Sequence, residues 1–307
     1  MEASITLKNV SKHFKNRYIL SNLNFGIEKG STFVVLGKNS EGKSTFLKLL
    51  AGINKPDNGK IYINGMDFSE NRKLVSTLGF LGDLPLYQNN LTVGDNLQKR
   101  AQILGIAPKV YEKNKKNLAE RFHLFDFLTQ KVEECSQGIK KRLSIVLSLI
   151  NDPAILIWDE PLAHLDFNLR QIVLSYLLEV KGEKTVVVAT NEFTELHTIA
   201  DRWIVLHNRG VRFDGDLEKM TTQINMPFLG QLELKKDKID EIEKLKHHPG
   251  ISKFELIGNS LNLQCKNLSE FHEIISSVST ESIIRVSCNS LDLEKLLNQL
   301  LSDEGLA

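Results

Sequence analysis

Nine residues do most to limit what this chain can become: Gly37-Lys38-Asn39-Ser40-Glu41-Gly42-Lys43-Ser44-Thr45. They fit the spacing GxxxxGK[ST] and stand between an apolar run, TFVVLG, and a helical segment, STFLKLLAGI. That strand-to-helix context is what the motif requires. Glycines such as Gly37 and Gly42 let successive backbone N–H groups turn inward around an anion. The start of the following helix adds a partial positive charge. Lys43 then reaches β- and γ-phosphates, the Ser44 hydroxyl can ligate Mg²⁺, and Asn39, Ser40 and Thr45 complete the cradle. A nucleotide-binding α/β protein is predicted.

The second constraint lies in Ala154-Ile155-Leu156-Ile157-Trp158-Asp159-Glu160-Pro161. The apolar run predicts a buried strand with Asp159 at its carboxyl end, where an aspartate can hold Mg²⁺ through water. Glu160 follows and is the candidate general base for an attacking water. A third apolar run, TVVVAT, ends just before Asn191.

The rest of the chain fits this frame. Residues 4–36 alternate like β-structure, and NGKIYING and LVSTLGFLG read as short strands. From about Thr92 to Ile150 the period turns helical, in DNLQKRAQILGI, NKKNLAERFHLFDFL and the segment after Ser136. WIVLHNRG and VRFDG read as a closing hairpin. Composition shifts near Thr221–Pro227, which sets a boundary between residues 1–221 and 222–307. The second part reads βαββαβ with a terminal helix, a ferredoxin-like order: QLELK, DKIDEIEKLK, KFELIG, LNLQCK, LSEFHEIISSV, IIRVS and LDLEKLLNQLL.

Bulk properties narrow the partners. A net charge of +1 over 307 residues gives no electrostatic case for nucleic acid. The three cysteines have neither metal-ligand nor disulfide spacing, which fits a reducing compartment. MEASITLKNV has no signal-peptide pattern, and no run of eighteen apolar residues occurs. The expectation is a cytoplasmic chain without a membrane span of its own.

The two phosphate-site motifs, with a helical insertion between them, resemble the ATPase subunit of ABC transporters over roughly residues 4–220. The resemblance implies a P-loop NTPase with a RecA-like core, an antiparallel β-subdomain and a helical subdomain at about 84–150. It places Phe14 where the family stacks an aromatic on adenine; a half-buried strand residue is the plainer alternative. Glu133-Glu134-Cys135-Ser136-Gln137-Gly138-Ile139 stands at the signature LSGGQ. Ser136 and Gly138 match, while Cys135 and Ile139 depart. In the family this segment caps the nucleotide of a second subunit in a head-to-tail dimer. Leu165-Asp166 resembles the loop that crosses that interface, and His164 is given no catalytic role. Asp83 falls where the family has a glutamine that senses Mg²⁺, with Gly82 one residue away.

The family usually carries a histidine after the strand-end threonine. Here the segment is ATNEF, so Asn191 stands in its place. Asparagine can donate a hydrogen bond but carries no proton or charge. Two readings stay open: a site that binds ATP normally and hydrolyses it slowly, or a tolerated variant with modest effect. Neither Glu192 nor His197 is an obvious replacement.

LTVGDNLQKRAQILGI resembles exporter-type (ABC-2-like) ATPases, and Ser290-Leu291-Asp292-Leu293-Glu294 resembles the SLEDVF-type tail of several of them. An unrelated α+β regulatory domain is the alternative for the second part. The implied function is the ATP- and Mg²⁺-dependent subunit of an exporter. It would act with an integral membrane permease subunit and a second ATP-binding subunit, peripheral on the inner face of the membrane. The rivals are a nucleotide-switched regulatory module and a non-transport relative acting on DNA or ribosomes. Such relatives usually carry two such domains in one chain or long coiled-coil insertions; this sequence shows neither, and its net charge of +1 argues against a nucleic-acid surface.

Overall fold

The computed structural model describes residues 2–15, 17–191, 195–223, 228–235, 245–246, 248–265, 268–279, 282–288 and 300. The chain divides into two compact units, Met1–Asp216 and Leu217–Ala307. The helix Leu217–Gln223 thus groups with the second unit.

Two sheets build the first unit. One is antiparallel, in the order β2-β1-β4-β5, from β1 (Ala3–Phe14), β2 (Arg17–Glu28), β4 (Asn58–Ile63) and β5 (Met66–Asp67). The other has the order β10-β9-β3-β8-β7-β6. Its strands are β3 (Thr32–Leu36), β6 (Leu78–Leu81), β7 (Ile155–Asp159), β8 (Thr185–Thr190), β9 (Arg202–His207) and β10 (Gly210–Gly215). Pairings from β9 through β6 are parallel, and β10 closes the edge as an antiparallel hairpin. Every residue of β3, β7 and β8 is buried, as strands covered on both faces must be. Their continuous apolar runs, rather than alternation, are the sequence cause. Helix α1 (Lys43–Leu50) buries Phe46, Leu47, Leu49 and Leu50 in a core that also takes Phe33, Ile157 and Val187 from the sheet.

Between β6 and β7 lie α2 (Val93–Ile103), α3 (Pro108–Arg121) and α4 (Gln137–Leu149). Thr92 and Asp95 form a reciprocal capping box at the start of α2. Pro108 opens α3, where its missing N–H costs nothing. Two sequence expectations need correction here. NKKNLAERFHLFDFL is not one helix: α3 ends at Arg121, His123 turns to φ 50°, and Phe125–Phe127 is a 3₁₀ turn. LVSTLGFLG is strand only in its second half, because Arg72–Thr77 forms a 3₁₀ helix.

In the second unit β11 (Phe228–Leu234), β12 (Ile251–Ile257), β13 (Ser260–Cys265) and β14 (Ile283–Cys288) form an antiparallel sheet in the order β12-β13-β11-β14. With the helix Leu268–Ser276, this is the strand order of a ferredoxin-like fold. Phe271 fits over Gly230, where an added Cβ would meet its ring at 2.0 Å. Most of DKIDEIEKLK and LDLEKLLNQLL, and the whole segment 290–294, lie outside the described residues.

Candidate functional site: a phosphate cradle at three strand ends

Parallel register brings the chemistry together. Leu36 of β3 pairs with Thr190 of β8, and Ala189 of β8 pairs with Asp159 of β7. The loop after β3, the acids ending β7 and the residues ending β8 therefore open at one edge of the sheet. Open α/β sheets bind ligands at that carboxyl edge. A cavity of about 680 Å³ lies there, lined by Asn39, Ser40, Gly42, Lys43, Ser44, Thr45, Asp83, Asp159, Glu160 and Asn191, with Phe14 at its side.

The loop Gly37–Gly42 is shaped by three features. Ser40 at φ 72° and Gly42 at φ 96° turn it through the left-handed region. A Cβ on Gly37 would meet the Leu206 carbonyl at 2.8 Å. Glu41 is fastened from outside: its carboxylate takes the Asn208 N–H at 3.0 Å and lies 3.0 Å from His207 Nδ1.

Lys43 is buried and donates to the carbonyls of Gly37 at 2.7 Å and Lys38 at 3.1 Å, and to the Asn191 side-chain oxygen. Burial pushes its ammonium pKa down, and the charges of Glu160, Asp159 and Glu41 oppose that.

Asp159 is buried at the end of β7, and the Ser44 hydroxyl hydrogen-bonds to it. Burial pushes its carboxyl up, against the Ser44 hydrogen bond and the Lys43 charge. A hydroxyl and a carboxylate beside a phosphate cradle form an oxygen-only set that suits Mg²⁺, which keeps waters and phosphate oxygens for its other positions. Among the described residues no cluster of three His, Cys, Asp or Glu side chains could hold a metal unaided. Asp83 is exposed at the rim and pairs with Lys48 at 2.9 Å.

Glu160 sits at φ 45°, a left-handed conformation that costs a non-glycine residue about 1–3 kcal/mol. Its N–H donates to the Ala189 carbonyl at 2.8 Å, and its Oε2 accepts the Thr190 hydroxyl at 3.0 Å. Burial raises its carboxyl pKa. The Thr190 hydroxyl, the Lys43 charge and the Asn191 N–H pull it down. A carboxylate held this way can accept a proton inside the cavity it lines.

Phe14 is exposed at the end of β1, with the Lys12 ammonium 5.3 Å from its ring centre. Ser136, Gly138 and Asp166 do not line the cavity. Ser136 caps α4 by accepting the Ile139 N–H at 3.3 Å. Asp166 caps helix α5 (Phe167–Glu179) by accepting the Leu169 N–H at 2.9 Å.

The sequence reading missed Thr190, Lys141 and the Glu41 fastening. Thr190 is the polar carboxyl end of the buried run TVVVAT, whose middle is apolar, which was a usable signal. Lys141 lines the cavity and donates to the Glu160 carbonyl at 2.8 Å, a contact that no local pattern announces. His164, left without a role above, also lines the cavity. Glu192 lies outside the described residues.

Loop, helix and strand-end acids define a P-loop nucleotide-binding protein. Residues 20–163 match the family model described as ABC transporter. The ABC transporter ATP-binding protein NatA of Bacillus subtilis is 28% identical over 242 residues, 74% of this chain and 98% of that protein. A probable sulfate/thiosulfate import ATP-binding protein, CysA, of Chlorella vulgaris is 30% identical over 220 residues, 71% of this chain and 93% of its own length. Nod factor export ATP-binding protein I of Rhizobium etli is 32% identical over 208 residues, 66% of this chain, which spans 65% of that protein. Among solved structures, a dimeric post-hydrolysis state of an ATP-binding cassette bound to ADP and Pi is 25% identical with a TM-score of 0.64. That match covers 69% of this chain and 98% of the cassette. The chain belongs to the ATP-binding subunits of ABC transporters. Subunits of this family bind and hydrolyse ATP, dimerise and work with a membrane permease. Among the described residues no helix is long and apolar enough to cross a membrane.

Proposed function

We propose that this chain is the ATP-hydrolysing subunit of an ABC exporter, cytoplasmic and peripheral on the inner face of the membrane. The observation that carries the ATPase reading is the convergence of Lys43, Asp159, Glu160 and Asn191 on one cavity. Lys43 and the loop N–H groups hold the β- and γ-phosphates. Ser44 and Asp159, with Asp83 nearby, hold Mg²⁺, which neutralises phosphate charge when bound. Glu160 takes the proton of the attacking water. Phe14 stacks on the base.

Ser136, Gly138 and Asp166 act on the nucleotide of a second ATP-binding subunit in a head-to-tail dimer. Their position outside their own chain's cavity supports that reading. The exporter assignment rests on LTVGDNL, on the small second domain and on the Rhizobium export relative. Import relatives such as the Chlorella protein share the same cassette.

The test is affinity purification from gently solubilised membranes. Co-purification of an integral permease, with ATP turnover stimulated in the complex, is expected; capture without any membrane protein would contradict transport. Asn191 favours a second reading, a weakly hydrolysing regulatory partner in a heterodimer. Tight ATP binding without turnover, at a site that Asn191→His activates, would select it.

A further inference from the structure

Two consecutive cations of α4 hold the two ends of one loop. Lys141 Nζ donates to the Glu160 carbonyl at 2.8 Å. Arg142 Nη2 lies 3.5 Å from Asp166 Oδ2, and its Nη1 donates to the His123 carbonyl at 3.3 Å. The loop between, residues 160–166, carries the candidate base at one end and the candidate dimer contact at the other.

Glu160 holds its left-handed backbone only because its surroundings over-determine it. Besides the Asn191 N–H on its carboxylate, four contacts among the described residues do so. Its N–H meets the Ala189 carbonyl at 2.8 Å, and its Oε2 meets the Thr190 hydroxyl at 3.0 Å. Its carbonyl takes the Ala163 N–H at 3.3 Å and the Lys141 ammonium at 2.8 Å. The first two come from β8 and the third from the loop itself. The fourth comes from α4, the helix that begins at the signature serine. An ammonium so close to a carbonyl makes a charge-assisted bond, about twice as strong as a neutral one. Burial works against the Lys141 charge, while Asp159 and Glu160 favour it.

We propose that Lys141 is a positioning residue for ATP hydrolysis: by holding the Glu160 carbonyl, it ties the aim of the Glu160 carboxylate to the position of the signature helix. Lys141 acts on the backbone of the base and not on a reacting atom. Any displacement of α4, such as engagement of Ser136 by a second subunit's nucleotide would impose, reaches Glu160 through this hydrogen bond. The inference rests on the ATPase reading above.

The test uses the purified full chain with Lys141→Met, Lys141→Gln and Lys141→Arg. Methionine keeps the length and removes the donor; arginine keeps charge and donors. Two readouts are taken: kcat and KM for ATP, and amide hydrogen exchange of residues 160–166 without nucleotide. In Lys141→Met kcat falls about tenfold or more, since small misplacements of a reacting group cost that much. KM changes by less than about twofold, the sign of an interaction that acts on the chemical step. Exchange across 160–166 rises in the same variant. Lys141→Arg recovers most of both, and Lys141→Gln, a milder change, falls between and carries the comparison if the methionine variant does not fold. Unchanged kcat in Lys141→Met, or a raised KM at constant kcat, would overturn the proposal; the second result would make Lys141 a phosphate ligand. A wild-type chain without turnover would defeat only the ATPase reading. Exchange would then decide Lys141 by itself, and unchanged protection in Lys141→Met would overturn the proposal.

Discussion

The Lys43 ammonium donates to the Asn191 side-chain oxygen as well as to the Gly37 and Lys38 carbonyls. An ammonium has three N–H donors, so the protein engages all of them. A phosphate can bind Lys43 only by displacing a partner. Two of the partners are carbonyls of the phosphate loop itself, and the third is a side chain free to turn. Asn191 is therefore the group that leaves. Asn191→Ala removes this competitor. The expected outcome is a two- to tenfold tighter Kd for ADP, about the range of one net hydrogen bond, measured by calorimetry. Weaker ADP binding would show that Asn191 serves the phosphates directly.

Thr190 holds Glu160 Oε2 at 3.0 Å from the end of β8. Thr190→Val keeps the shape and removes the donor. We expect kcat to fall about tenfold or more with KM nearly constant, because the bond aims the proposed base and does not bind nucleotide. Steady-state kinetics with saturating Mg²⁺ measure both constants. A change confined to KM would contradict that role.

Burial raises the Glu160 carboxyl pKa, with Asp159 reinforcing it and the Thr190 hydroxyl, Lys43 and the Asn191 N–H opposing. A base works ionised, so turnover falls as pH drops through the folded-state value, which lies above the ordinary glutamate value. The acid limb of the kcat profile should therefore sit above the ordinary glutamate value. Thr190→Val, having lost a donor to the charged form, should move that limb further up. The same group has the opposite sign for stability from a paired surface acid. Its contribution is present below the unfolded-state pKa and is lost as pH rises through the folded one. A limb at an ordinary carboxylate pH would contradict the burial argument.

Ser136 is at once the cap of α4 and the proposed contact to a second subunit's nucleotide. Aspartate caps helices as well as serine does but puts a negative charge where a γ-phosphate would stand. Ser136→Asp should keep the melting temperature within about 2 °C, since an equivalent cap leaves stability almost unchanged. It should abolish ATP-dependent dimerisation read by light scattering in a Glu160→Gln background. Dimerisation that survives Ser136→Asp would remove Ser136 from the interface.

Much of this site was legible in the sequence because its parts are local. GKNSEGKST and ILIWDEP each join an apolar strand to polar groups at its end, and the fold of β3 and β7 follows from that apolar content. Asn191 was legible only as a departure from a family pattern. Its actual partner, Lys43, lies 148 residues away in the chain, and no spacing rule connects them. The Lys141–Glu160 and Glu41–His207 contacts were hidden for the same reason: both depend on which elements the sheet order makes neighbours. The misread helix around His123 failed because an apolar period continued through a turn. Phe122 and Leu124 stay buried after the backbone has left the helix, while Phe125 is exposed.

The most direct measurement is ATP turnover by the purified chain beside Glu160→Gln and Asn191→His. Slow turnover is expected in the wild type, with its loss in Glu160→Gln and a rise in Asn191→His of up to about 10²-fold, the scale of one restored transition-state contact. Turnover that persists in Glu160→Gln, or that falls in Asn191→His, would contradict this expectation.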